Sequence, residues 1–131
     1  MKTIEAYRLF RIGSDGSPMV LFHGFDHGGR RTRKVPFDVL LRAEERHVWN
    51  PGARTGPGFT SGWHVLLDRD ACLEYRRRFV SGVVVCRVMV ADLRPKPRGR
   101  CDVQLARYMM LSREDWMRAL TPALRSRMLA A

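Results

Sequence analysis

The sequence predicts an α+β fold: a mixed, mainly antiparallel sheet with helices packed on it. Three observations predict it. Strand-like and helix-like segments follow in the irregular order β-β-α-β-α-β-β-α-α, which is neither a repeating βα pattern nor a helical one. The run "VVVCRVMV" (Val83–Val90) is apolar on both faces except at Arg87, as a central strand requires. Two helix starts carry side-chain caps, at Asp68 and Ser112. A length of 131 residues suits one domain over 1–131.

Each element has a local reason. Ile4–Ile12, "IEAYRLFRI", alternates apolar and polar residues as a half-buried strand does. Asp15-Gly16 within "GSDGSP" signals a turn, and Met19–His23, "MVLFH", is the expected partner strand of an N-terminal hairpin. Gly28-Gly29 and the basic run Arg30–Lys34 follow as an exposed loop. Pro36–Trp49 has apolar residues at helical spacing (Phe37, Leu40, Leu41, Val48) and a proline in its first turn, which predicts a helix. Asn50–Gly62, rich in glycine and proline, is the longest expected loop. Trp63–Leu67 reads as a strand. Asp68 then caps a helix over Arg69–Phe79, with Ala71, Tyr75 and Phe79 stacked on one face beside Cys72. Ser81-Gly82 ends it. After Val83–Val90, "RPKPRGR" (Arg94–Arg100) reads as a loop and Val103–Leu111 as a further strand. Ser112, with Asp115 three residues on, opens a helix as a variant capping box. Thr121-Pro122 starts the last helix, Ala123–Leu129.

Charge is the dominant compositional feature. Lys and Arg total 24 against 13 Asp and Glu, a net charge of +11. Lys2, Lys34 and Lys96 are the only lysines, so the clusters are guanidinium clusters. Guanidinium forks bind phosphate and carboxylate bidentately, which suits an anionic partner. The clusters are Arg30, Arg31, Arg33 and Lys34; Arg76, Arg77 and Arg78; Arg94, Lys96, Arg98 and Arg100; and the C-terminal Arg118, Arg125 and Arg127. Converging in the fold, they would bind nucleic acid or an acidic protein surface in a salt-dependent way. Phe25, Trp49 and Phe59 are rings placed to stack on bases. No helix-turn-helix, zinc-finger or RNP signature accompanies them, so sequence-specific reading of nucleic acid is not expected.

The three cysteines, Cys72, Cys86 and Cys101, form no CxxC pair and are odd in number, which argues against a disulfide framework. No apolar run approaches the roughly 20 residues of a membrane helix, and Met1 leads straight into a strand. The expected location is the cytoplasm, with no membrane partner. Nothing in the sequence sets an oligomeric state.

Few motifs carry chemistry. His64 alternates with Trp63 and Val65 next to the glycine-rich loop, where it could act as a general base or donate to a substrate. His23 and His27 have HxxxH spacing but span a strand end and a loop, so they do not share a helix face, and no metal site is expected. Gly56, Gly58 and Gly62 match neither the dinucleotide fingerprint nor the P-loop. That same loop carries Arg54 and could cover a ligand beside His64. No paired carboxylates stand out for acid–base work, and no cofactor is specified.

The succession "YRLFR" (Tyr7–Arg11), "GWHVLLDRDACLEYRRRF" (Gly62–Phe79) and "VVVCRVMVADLRP" (Val83–Pro95) resembles small ADP-ribosyltransferase-like domains. The resemblance implies that Arg8 matches the first-strand cation that orients NAD. Trp63 or His64 then takes the place of the second-strand aromatic or hydroxyl residue. It makes Arg8 and His64 the catalytic candidates of an enzyme, or the ligand contacts of a degenerate NAD- or nucleotide-binding relative. The late strand has Gln104 nearest to where the family carries its catalytic glutamate. The chain also resembles small proteins of phages and other mobile elements, some of which inhibit host defence, anti-CRISPR proteins among them. From charge and the missing catalytic set, the first expectation is a non-enzymatic basic binding protein.

Overall fold

A computed structural model describes residues 1–48, 59–79, 81–96 and 102–130. The fold is α+β, with a mainly antiparallel sheet and three helices packed on it. Four strands form its centre: β1 (Ile4–Ile12), β8 (Trp63–Leu66), β9 (Val83–Pro95) and β10 (Val103–Met110). β1 and β10 each pair with both β8 and β9, so the pairings run in a closed circuit. The circuit leaves only parts of β1 and β10 open at the edge, where the short strands β2 and β5 add on. The circuit is strong between β1 and β9, where Ile4 to Arg11 pair with Val90 to Val83. It is thin between β1 and β8, where Tyr7 opposite Leu66 is the one registered pair. Continuing that register would set Leu9 opposite His64, yet the two strands diverge there.

Two apolar layers follow from strand alternation. One holds Ala6, Phe10, Trp63, Val65, Val88, Val90, Ala106 and Met109 and is covered by Trp116 of α2 (Arg113–Ala119). Trp116 meets Phe10 edge to face at 5.8 Å and donates from Nε1 to the carbonyl of Gly16 at 2.9 Å, so its one polar atom is satisfied. The other layer holds Leu9, Leu66, Val83 and Val103 and is covered by Cys72, Tyr75 and Phe79 from α1 (Arg69–Arg76) and the turn after it. The helix starts are as the sequence predicts. Asp68 accepts from Ala71 N at 3.0 Å, and Ser112 accepts from Asp115 N at 3.0 Å while donating to its carboxylate. The last helix, α3 (Pro122–Ala130), begins at its proline. Cys72 and Cys86 are buried free thiols, and burial pushes each up to about 12. Cys101 lies outside the described residues. No helix among the described residues is long and apolar enough to cross a membrane.

The predicted helix over Pro36–Trp49 does not form within the described residues 36–48. Asp38 has φ 59°, which stops a helix in its first turn. The segment instead runs extended along the edge of β10 that β8 leaves free. Asp38 N donates to Leu111 O, β5 (Leu41–Arg42) pairs with Met109 and Tyr108, and Ala43 N donates to Arg107 O. Leu40, meant for a core face by helical spacing, is 43% exposed. β6 (His47–Val48) then pairs with β7 (Phe59–Thr60).

Other boundaries move as well. The partner strand Met19–His23 shortens to β2 (Pro18–Met19), because residues 33–35 pair with 18–20 and Leu21–His23 turn away. The basic run Arg30–Lys34 is not a loop throughout: Arg30–Thr32 is β4, hairpinned with β3 (Phe25–His27). Its turn is Gly28-Gly29, at φ 60° and 79°, where glycine is the residue that fits without strain. The central strand continues past Val90 to Pro95, absorbing the start of the expected Arg94–Arg100 loop. The predicted strand over Trp63–Leu67 ends at Leu66, and the helix over Arg69–Phe79 ends at Arg76, followed by a turn. Trp49, residues 97–101 and most of the Asn50–Gly62 loop, with Arg54, Gly56, Gly58, Arg98 and Arg100 among them, lie outside the described residues.

Candidate ligand cleft

A cleft of about 610 Å³ opens where β1 and β8 diverge. That volume is typical of small-molecule sites. Its floor comes from Arg8 and Leu9 on β1 and from Gly62, Trp63, His64 and Leu66 in and before β8. One wall is the Val20–Phe25 segment, a second is Ala43–His47, and a third is Tyr75 and Phe79 beside α1, with Lys96 and Phe59 at the remaining side.

Backbone approach sets the floor. Gly62 lies so close to β10 that a Cβ there would meet Ala106 O at 3.0 Å and Leu105 Cβ at 3.2 Å. Gly24 faces Thr32 just as closely, with Thr32 O 2.8 Å from a built Cβ. Trp63 is held by its indole, which donates from Nε1 to Leu41 O at 3.1 Å, and by an edge-to-face contact with Phe25 at 5.4 Å. The Ala43–His47 wall is tied down through Glu44. Its carboxylate accepts from Asp26 N, Arg31 and Arg46 together. Glu44 is the one carboxylate among the residues lining the cleft, and both its oxygens are engaged.

Arg8 is the unusual group. Its guanidinium lies 5.3 Å from the Trp63 ring and 5.6 Å from the Phe10 ring, so it stacks on aromatic faces. Nη1 donates to His64 O at 3.0 Å. Nε is buried and has no hydrogen-bond partner among the described residues. No carboxylate among the described residues pairs with this cation. Burial pulls its pKa from the ordinary arginine value down to about 10, and it stays charged at neutral pH.

His64 sits beside it. Burial first, then the charges of Arg8 and Lys96, hold the imidazole down at about 4, against a contact to the Gly62 backbone that favours the cation. The ring is therefore neutral near pH 7 and a weak base. Among the described residues, no group of three His, Cys, Asp or Glu side chains is placed to hold a metal. His23 lines the cleft while His27 is exposed on β3.

The structure thus brings together the two catalytic candidates, Arg8 and His64. It engages several of the clustered cations within the fold. Arg31 serves Glu44 and the Gly24 carbonyl. Arg33 donates to the carbonyls of Val20 and Leu21, and Lys34 pairs with Asp15 at 3.1 Å. Arg94 donates to the carbonyls of Thr60 and Ser61, both at 2.8 Å. Arg77 pairs with Glu74 at 3.3 Å. Arg30, Arg76 and Arg78 remain exposed and have no carboxylate partner among the described residues. Lys96 lines the cleft. Gln104 faces Val65 and Pro95 across the sheet and is not among the lining residues.

Sequence reasoning missed Phe22, Tyr75 and Phe79 as site residues. Phe22 is 63% exposed at the cleft and packs 6.1 Å from Phe79, which meets Tyr75 at 5.2 Å. A phenylalanine left exposed at the end of an apolar run was the available signal. In comparisons with known proteins, no family model, curated protein or solved structure matches the chain.

Proposed function

We propose that the protein binds a small anionic ligand bearing a flat ring, of the nucleotide class with NAD included, in the cleft around Arg8. One observation carries this reading: the partly buried Arg8 cation lies on two aromatic rings, with no carboxylate partner and no hydrogen bond to its buried Nε among the described residues. A partly desolvated charge without a partner is unfavourable, and a ligand anion would supply the missing charge. The aromatic walls from Phe22, Phe79 and Trp63 offer stacking surface for a base. Neutral His64 can donate to or accept from the ligand. The proposal is binding rather than turnover, because Glu44 is committed to two arginines and Gln104 lies off the cleft. Titration with AMP and with NAD, followed by the side-chain NMR signals of Arg8 Nε–H and the Trp63 indole, tests it. Saturable shifts of both signals are expected. No saturation at millimolar ligand, or shifts confined to other residues, overturns the reading.

A second reading is a basic face for nucleic acid or an acidic protein surface. It is supported by Arg76 and Arg78, which stand exposed at the end of α1 without carboxylate partners. Binding of a single-stranded oligonucleotide that weakens steeply with salt, and weakens again in Arg76→Ser/Arg78→Ser, is the expected result. Salt-independent binding, or none, removes it.

A further inference from the structure

The cleft has a second cationic position. Lys96 follows the end of β9, anchored by its own N–H donating to Val103 O at 3.1 Å. Its ammonium lies 6.0 Å from the Phe59 ring, inside the cleft lining. Arg78, in the turn after α1, lies 6.0 Å over Tyr75, another lining residue. The two cations are close enough that Arg78, after burial, lowers the Lys96 pKa. Neither pairs with a carboxylate among the described residues. Like charges held together in this way are unfavourable unless something negative sits between or beside them. Arg8, His64 and Lys96 all line the same cleft, and both cations lower the His64 pKa.

We propose that the cleft recognises two linked anionic groups, one at Arg8 and one at Lys96 and Arg78, so that its ligand carries a diphosphate. This rests on the nucleotide-class reading above and sharpens it. A monophosphate offers one anionic group, whereas a diphosphate offers two linked ones, one for each position. The shared chemistry is the diphosphate, whether terminal as in ADP or bridging as in NAD.

The test is calorimetric titration of the purified chain with AMP, ADP and NAD at one fixed ionic strength. Wild type is compared with Lys96→Met, Arg78→Ser and a distant charge control, Arg113→Gln. ADP or NAD is expected to bind at least about tenfold more tightly than AMP. Lys96→Met is expected to shrink that ratio to about threefold or less, with AMP affinity little changed, and Arg78→Ser to shrink it partly. Arg113→Gln should leave it intact, which separates a local contact from net charge. Equal affinities for all three ligands overturn the second position while leaving the cleft reading standing. So does a preference that survives Lys96→Met and Arg78→Ser combined. Absence of binding by any of the three overturns the cleft reading itself.

Discussion

The guanidinium of Arg8 bridges the seam between β1 and β8 by donating from Nη1 to the backbone carbonyl of His64, 3.0 Å away. The bond forms where the two strands stop pairing, so a side chain takes over from the ladder. It leaves Arg8 among the residues that line the cleft, and it places a positive charge whose field acts on the His64 imidazole. Both consequences can be measured.

The first concerns pH. His64 titrates at about 4 in the folded chain and near 6.5 when unfolded. Between those values the unfolded chain binds the extra proton, so stability falls as pH drops from 6.5 toward 4 and levels off below. At about 1.4 kcal/mol per pKa unit, the loss is on the order of 3 kcal/mol. Urea denaturation at several pH values should show this slope, and His64→Gln should flatten it. A variant with the wild-type slope contradicts the assignment. Bound anion next to His64 should raise its pKa, so ligand saturation should move the acid limb downward in steepness.

Two glycines form the cleft by close approach. Gly24→Ala puts a methyl 2.8 Å from the Thr32 carbonyl oxygen, a backbone atom that cannot swing aside. We expect a loss of about 1–3 kcal/mol, in the range of overpacked sites. Gly62→Ala, at 3.0 Å from Ala106 O, should cost somewhat less. Gly28→Ala is the contrast: its Cβ meets nothing within 4 Å, so any loss comes from φ 60° alone. Equal thermal stability of Gly24→Ala and wild type would contradict the close packing.

Glu44 is expected to matter locally more than globally. Its partners Arg31 and Arg46 are about half exposed, so their ion pairs contribute roughly 1 kcal/mol or less. The same carboxylate also accepts the Asp26 amide at 2.8 Å. Glu44→Gln should therefore speed hydrogen exchange at the Asp26 amide while changing the melting temperature little. Unchanged exchange there would mean that Glu44 does not fasten the hairpin to the wall.

The parts legible in the sequence are those decided by local physics. Alternation in Ile4–Ile12 and the two-sided apolar run from Val83 locate strands, and Asp68, Ser112 and Pro122 mark helix starts. The stretch 36–48 was misleading because Phe37, Leu40, Leu41 and Val48 fit helical spacing. What overrides it is tertiary: a free edge of β10 accepts Asp38, Leu41 and Ala43, and Asp38 takes a left-handed φ. The cleft was legible only in fragments. Arg8 was singled out by resemblance and His64 by its neighbours, but their contact depends on strands 56 residues apart. Arginines that look like a surface in one dimension turn out to serve backbone carbonyls. Arg33 and Arg94 illustrate this, each donating to two carbonyls where chain segments turn or end. Charge counting cannot see such bonds.

The central claim is that the Arg8 charge serves a ligand as well as holding the seam. Arg8→Met removes a partly buried cation that has no carboxylate partner among the described residues and keeps an apolar stem of similar length on Phe10 and Trp63. The decisive measurement is the melting temperature of wild type and Arg8→Met, each with and without saturating ADP. We expect the ligand-free variant to melt close to wild type, because the bond to His64 O is lost while a partly desolvated charge is removed with it. ADP should raise the melting temperature of wild type and leave Arg8→Met unmoved. A variant that melts well below wild type, or that is stabilised by ADP as wild type is, contradicts the claim.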